Sequence, residues 1–132
     1  MFTDLEKKSP FVVYKAPALV YAGLIFVMSS ISGYELPELP FYSFDKIVHS
    51  LEFGLFGMLL YRAFRYPRPF SRPYLFTLGT GIPWAAMDEI HQLYVPGRNC
   101  DPVDFIMDVL GLVVFAGISV KLNSEKRNRN FY

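Results

Sequence analysis

Apolar residues fall in four runs along the chain, set apart by prolines and by clusters of charge. From Ala16 to Ser32 no charged residue occurs across 17 positions, close to the ~20 that cross a hydrocarbon core ~30 Å thick. This run predicts a first transmembrane helix. Asp45 to Phe64 predicts a second, polar in its opening turn and apolar from Phe53 to Leu60. Pro73 to Tyr94 predicts a third, apolar at first and acidic later, and Pro102 to Val120 a fourth with the reverse gradient. Pro37, Pro40, Pro67, Pro69, Pro73, Pro96 and Pro102 lie between or at the edges of these runs, where a missing amide hydrogen does least damage. Pro83 lies inside the third run, which predicts a kink or local unwinding there. The expected fold is all-α: one domain over residues 1–132, an integral membrane four-helix bundle with short connections.

Basic residues give the expected bundle a direction. Lys7, Lys8 and Lys15 precede the first span, Arg62, Arg65, Arg68 and Arg72 separate the second from the third, and Lys121, Lys126, Arg127 and Arg129 follow the fourth. Eleven of the 13 lysines and arginines therefore belong to one side. Cytoplasmic loops hold the excess of such residues, so both termini are expected in the cytoplasm and residues 33–44 and 95–101 outside. A cleaved leader would also have a basic flank and small residues such as Ser29, Ser30 and Gly33, but removing it would put the basic loops on inconsistent sides. Apolar residues make up 52% of the 132, which excludes a disordered chain. Net charge is +1, which argues against a nucleic-acid partner. With Cys100 as its single cysteine, the chain has no internal disulfide and no thiolate-built metal centre.

Seven of the 12 acidic residues lie in or beside the spans: Asp45, Glu52, Asp88, Glu89, Asp101, Asp104 and Asp108. Asp45, His49 and Glu52 follow i, i+4, i+7 spacing and Asp101, Asp104 and Asp108 follow i, i+3, i+7, so each set occupies one helical stripe. Asp88, His91 and Gln92 share a face of the third span, with Trp84 one turn below and Glu89 about 100° away. Given the alternating direction of the spans, all three stripes fall in the outer half. An ionised carboxylate at mid-bilayer costs ~2.5–3.5 kcal/mol on the lenient insertion scale, so these groups should face one another and not lipid. They can act as polar glue between helices, or as a working site. His49, Glu52, Asp88, Glu89, His91, Gln92, Arg98, Asp104 and Asp108 are the candidate functional residues. A divalent metal ion is a possible cofactor, with His49, Glu52, Asp88 and Asp104 as its candidate ligands.

The segments Asp45-Lys46-x-x-His49-x-x-x-Phe53, Asp88-Glu89-x-x-Gln92-x-x-x-x-x-Arg98 and Asp101-x-x-Asp104-x-x-x-Asp108-x-x-Gly111 resemble, in order and spacing, the pattern of the VanZ-like family. The resemblance covers three of the four spans. Asp108 stands where the family usually has asparagine, which adds a charge and removes two donors. The resemblance implies a small multi-span protein of the bacterial cytoplasmic membrane. The family's namesake is associated with resistance to teicoplanin, a lipoglycopeptide acting on cell-wall precursors.

Three classes of function stay open. In the first, an outward-facing polar site binds or acts on membrane lipids, a lipid-linked envelope precursor or a lipoglycopeptide. In the second, Glu52, Asp88 or Asp104 serves as general base or metal ligand for hydrolysis or transfer at a lipid headgroup, with His49 or His91 carrying protons and Arg98 holding an anion. No nucleophilic serine or cysteine motif accompanies that set. In the third, the intramembrane acids and histidines move ions or protons.

Overall fold

The computed structural model describes residues 9–35, 43–67 and 69–129. Lys7, Lys8, Pro37, Pro40 and Arg68 lie outside the described residues. Within those described, the chain is all-helical, with five α-helices and no strand: α1 (Pro10–Tyr14), α2 (Ala16–Ser29), α3 (Phe44–Arg65), α4 (Pro73–Gln92) and α5 (Pro102–Arg129). A short 3-10 turn occupies Gly33–Glu35. Two helical stretches, Phe44–Arg65 and Pro102–Lys126, are long and apolar enough to cross a membrane.

Helix ends depart from the hydropathy pattern for local reasons. Before α2 the chain is already helical as α1, and the break between them falls at Lys15 because Pro17 has no N–H to bond the Val13 carbonyl. α2 stops at Ser29 and not Ser32; the Ser30 hydroxyl donates to Phe26 O at 2.7 Å and its N–H is shared between Phe26 O and Val27 O, closing the last turn. α4 ends at Gln92, two residues short of Tyr94. It passes through Pro83 without unwinding, since a single lost ladder bond is tolerated when the neighbouring turns hold. α5 runs nine residues past Val120 to Arg129, because the polar segment after it is rich in good helix formers. Hydropathy ends a span there, but not a helix.

Charge complements the helix ends. α3 has Asp45 in its first turn and Arg62 and Arg65 in its last, matching the macrodipole. α4 and α5 both start on proline, whose missing N–H is unused at that position. Asp101 caps α5, its Oδ1 accepting the Val103 N–H at 2.8 Å.

α3 and α5 form the closest pair in the bundle. Along their seam Gly54 lies under the Phe115 ring, Gly57 against Leu112, and Gly111 against the Ser50 backbone. Small residues let the two helix backbones approach closely. The apolar core of Ile25, Phe53, Phe56, Leu60, Leu112 and Ala116 fills the middle of the bundle.

The two ends of the bundle differ in chemistry. At one, Tyr14 stacks on Tyr66 with ring centroids 5.4 Å apart, Arg62 lies over the Tyr14 ring, and Tyr66 donates to Asn123 Oδ1 at 2.8 Å. These contacts gather α1, the end of α3 and the tail of α5, with Arg62, Arg65 and Lys126. At the other end, Gly33 N–H donates to Pro96 O at 2.9 Å, and the two connections cross where Gly97 adopts φ +72° and a Cβ on Gly33 would overlap its carbonyl.

Gly111→Ala is expected to lower the melting temperature in detergent by the equivalent of about 1–3 kcal/mol, because its methyl group would meet the Ser50 carbonyl. Gly23→Ala, whose Cβ meets nothing within 4 Å, should leave stability unchanged or raise it. Equal losses in both would rule out the seam as the tight contact.

Candidate functional site

Lys46 is the centre of the polar end. It is 7% exposed, and its Nζ lies 3.1 Å from Asp45 Oδ2, 2.6 Å from Asp101 Oδ2 and 2.5 Å from Asp104 Oδ1. One ammonium thus ties the first turn of α3 to the cap and first turn of α5. The ammonium, with the Val103 N–H, holds the Asp101 carboxyl below its ordinary range.

One turn deeper, His49 Nδ1 lies 3.0 Å from Asp108 Oδ1, and its Nε2 lies 3.9 Å from Asp104 Oδ2. Asp108 has no exposed surface. Glu89 reaches this group from α4: its Oε2 accepts the Asp101 N–H at 3.0 Å, and the side chain is buried. Donor atoms of His49, Glu89 and Asp108 lie within 4.8 Å of one another. α3, α4 and α5 each supply one member.

Asp88, Gln92, Glu52 and Arg98 lie around this set. Gln92 Nε2 donates to Asp88 Oδ2 at 3.2 Å, and both residues are buried. Glu52 is within electrostatic reach of His49, Asp88 and Arg98. Arg98 projects from the 93–101 connection and touches Met28 O with a guanidinium nitrogen at 3.5 Å. Its Nε is buried and without a hydrogen-bond partner.

The three stripes do converge, but the partition within them differs from the helical-wheel reading. Glu89, set about 100° off the α4 stripe, joins His49 and Asp108. Glu52 and Asp88, candidate metal ligands in the sequence, fall outside the close set of His49, Glu89 and Asp108 but within electrostatic reach of it. Asp104 is engaged chiefly by Lys46. His91 leaves the acids altogether: its Nε2 lies 2.9 Å from Ser30 Oγ, and its ring is 4.5 Å from that of Phe26, both on α2. The cause is that α4 packs against α2, α3 and α5, so several of its faces are interior at this level. Lys46, in the first turn of α3, is not among the candidate functional residues of the sequence. The signal for its role was its i, i+3 relation to His49, which puts both on one face.

Lys46→Met should destabilise the fold by about 3 kcal/mol near neutral pH, since three carboxylates lose their shared cation. The loss should appear in detergent unfolding, and Asp101 supplies a pH signature. Its depressed carboxyl contributes stability that is present above its unfolded pKa, near 3.9, and is lost as pH falls through its lower folded value. In Lys46→Met that acid transition should move to higher pH. An unchanged acid limb would refute the assigned pairing.

A family model described as VanZ/LLP1 matches residues 5–123. None of the curated proteins and none of the solved structures matches the chain. The matched segment takes in α1 to α4, α5 as far as Asn123 and every residue of the polar end, and it agrees with the resemblance carried by the Asp-Lys, Asp-Glu and Asp-x-x-Asp segments: the chain belongs to the VanZ/LLP1 family.

Proposed function

We propose that this chain is a multi-pass protein of the bacterial cytoplasmic membrane, a bundle of four spanning helices with both termini inside. Its polar end opens to the outer leaflet and receives the headgroup of a lipid-linked envelope molecule or a lipoglycopeptide of the teicoplanin type. Both kinds of occupant combine an apolar tail with a polar head.

The observation that carries this reading is the inverted distribution of polarity. Lys46, His49, Asp88, Glu89, Gln92, Asp104 and Asp108 are buried, while Leu19, Val20, Val27, Leu51, Leu75, Ile90, Ile106 and Val114 stand exposed on the outer faces of four helices. A protein surrounded by water has the opposite pattern; one surrounded by hydrocarbon has this one. The α1–α2 unit, Pro10–Ser29, spans 20 residues, or ~30 Å of rise, enough to accompany the three longer helices across.

Orientation rests on the segregation of charge between the ends. Arg62, Arg65 and Lys126 gather at one end, and the excess of lysine and arginine marks the cytoplasmic side. Arg98 is the natural contact for an anionic headgroup, since its buried Nε lacks a partner and it forms no ion pair among the described residues. Ion passage is not favoured: below His49 the interior is closed by the buried Phe53, Phe56, Leu112 and Ala116.

A membrane-impermeant maleimide should label Cys100 in intact cells. Burial and the neighbouring Glu89 carboxylate raise the Cys100 thiol above its ordinary range, so labelling belongs in alkaline buffer. Labelling only after permeabilisation would overturn the orientation. Expression in a susceptible bacterium should raise the teicoplanin concentration needed to stop growth, and Arg98→Ala should abolish that gain. A charge-assisted hydrogen bond is worth ~1.5–3 kcal/mol, so the substitution should weaken headgroup binding about tenfold or more. Wild-type expression without effect would remove the resistance role.

A further inference from the structure

We propose that His49, Glu89 and Asp108 form a binding site for one first-row divalent cation, zinc or manganese(II). The three side chains come from three different helices, and their donor atoms lie within 4.8 Å of one another. One imidazole nitrogen and two carboxylate oxygens form a donor set that suits these metals.

Unused binding capacity is the second observation. Asp108 is fully buried, yet only its Oδ1 has a partner; its Oδ2 accepts no hydrogen bond. Glu89 is 3% exposed, and its Oε1 likewise accepts none; the thiol of Cys100, beside it, is a weak donor. Buried carboxylate oxygens without a donor are costly, and a cation is the partner that satisfies both at once.

Charge balance points the same way. Lys46 is already shared among Asp45, Asp101 and Asp104; among the described residues Asp108 pairs with His49 alone, an ion pair only when the imidazole is protonated, and Glu89 has no ion pair. A divalent cation neutralises both carboxylates and leaves His49 uncharged, the form in which imidazole ligates metal. The Asp101 N–H on Glu89 Oε2 then serves as an outer contact that orients a ligand.

The site lies in the polar end to which the proposed function assigns a headgroup, but its test is made in detergent and does not depend on which side of the membrane that end faces. Purified protein, freed of any histidine tag and stripped with EDTA, is titrated with Zn2+ and with Mn2+. One equivalent of at least one metal should bind at micromolar concentration or below. Asp108→Asn and Glu89→Gln should each weaken binding at least about tenfold, while Cys100→Ser should not. Circular dichroism and size exclusion verify that each variant is folded. Should either carboxylate variant fail to fold, pulsed EPR of Mn2+ in the His91→Ala protein decides, because the chain has two histidines and 14N coupling must then come from His49. The proposal is overturned by the absence of a saturable equivalent of either metal, by stoichiometric binding that survives both carboxylate substitutions, or by bound Mn2+ without 14N coupling.

Discussion

The structure depends on giving buried carboxylates a counter-charge, and Lys46 is where that demand is met. Its ammonium faces three aspartates from two helices, so the start of α3 and the start of α5 are fixed to each other by charge. Attraction of that kind needs close approach, and the glycines of the α3–α5 seam provide it further along the same pair. Backbone contact in the middle and ionic contact at the end thus support one another. Neither would hold with bulky residues at 57 and 111, because the carboxylates of α5 would be carried out of reach of Lys46.

Much of this arrangement is legible in the residues. Period-3.6 spacing placed Asp45 with His49 and Asp104 with Asp108, and alternating span direction brought both stripes to one end, as found. What spacing on one helix does not contain is how many neighbours surround it. α4 is enclosed by three helices at the level of the acids, so consecutive residues Asp88 and Glu89 both become interior, and His91 turns to Ser30 on α2. The role of Lys46 is hidden for a related reason: a lysine in the first turn of an apolar helix reads as a residue that reaches water, and the aspartates at the start of α5 draw it inward. The extent of α5 past Val120 was hidden because hydropathy reports the solvent around a helix and not the helix itself.

Position 108 concentrates the difference between this chain and the pattern it resembles. Where asparagine is usual, aspartate here is fully buried against His49. An amide would complete its hydrogen bonds with neutral neighbours, whereas a carboxylate in the same place demands a counter-charge. The substitution therefore changes what the interior requires without changing the shape of the side chain.

The length of α5 also sets a vertical scale for the whole assembly. In the membrane arrangement proposed above, Lys121 and the charged residues after it would resist being drawn below the lipid headgroups, so that end of the helix would act as a float at one water line. Asp108 stands thirteen residues away, or ~20 Å of rise, in a hydrocarbon layer ~30 Å deep, and a tilt of ~20° shortens that separation only slightly. On that arrangement the opposite water line would lie only ~10 Å from Asp108, about two helical turns, the distance that separates Asp108 from the Asp101 cap.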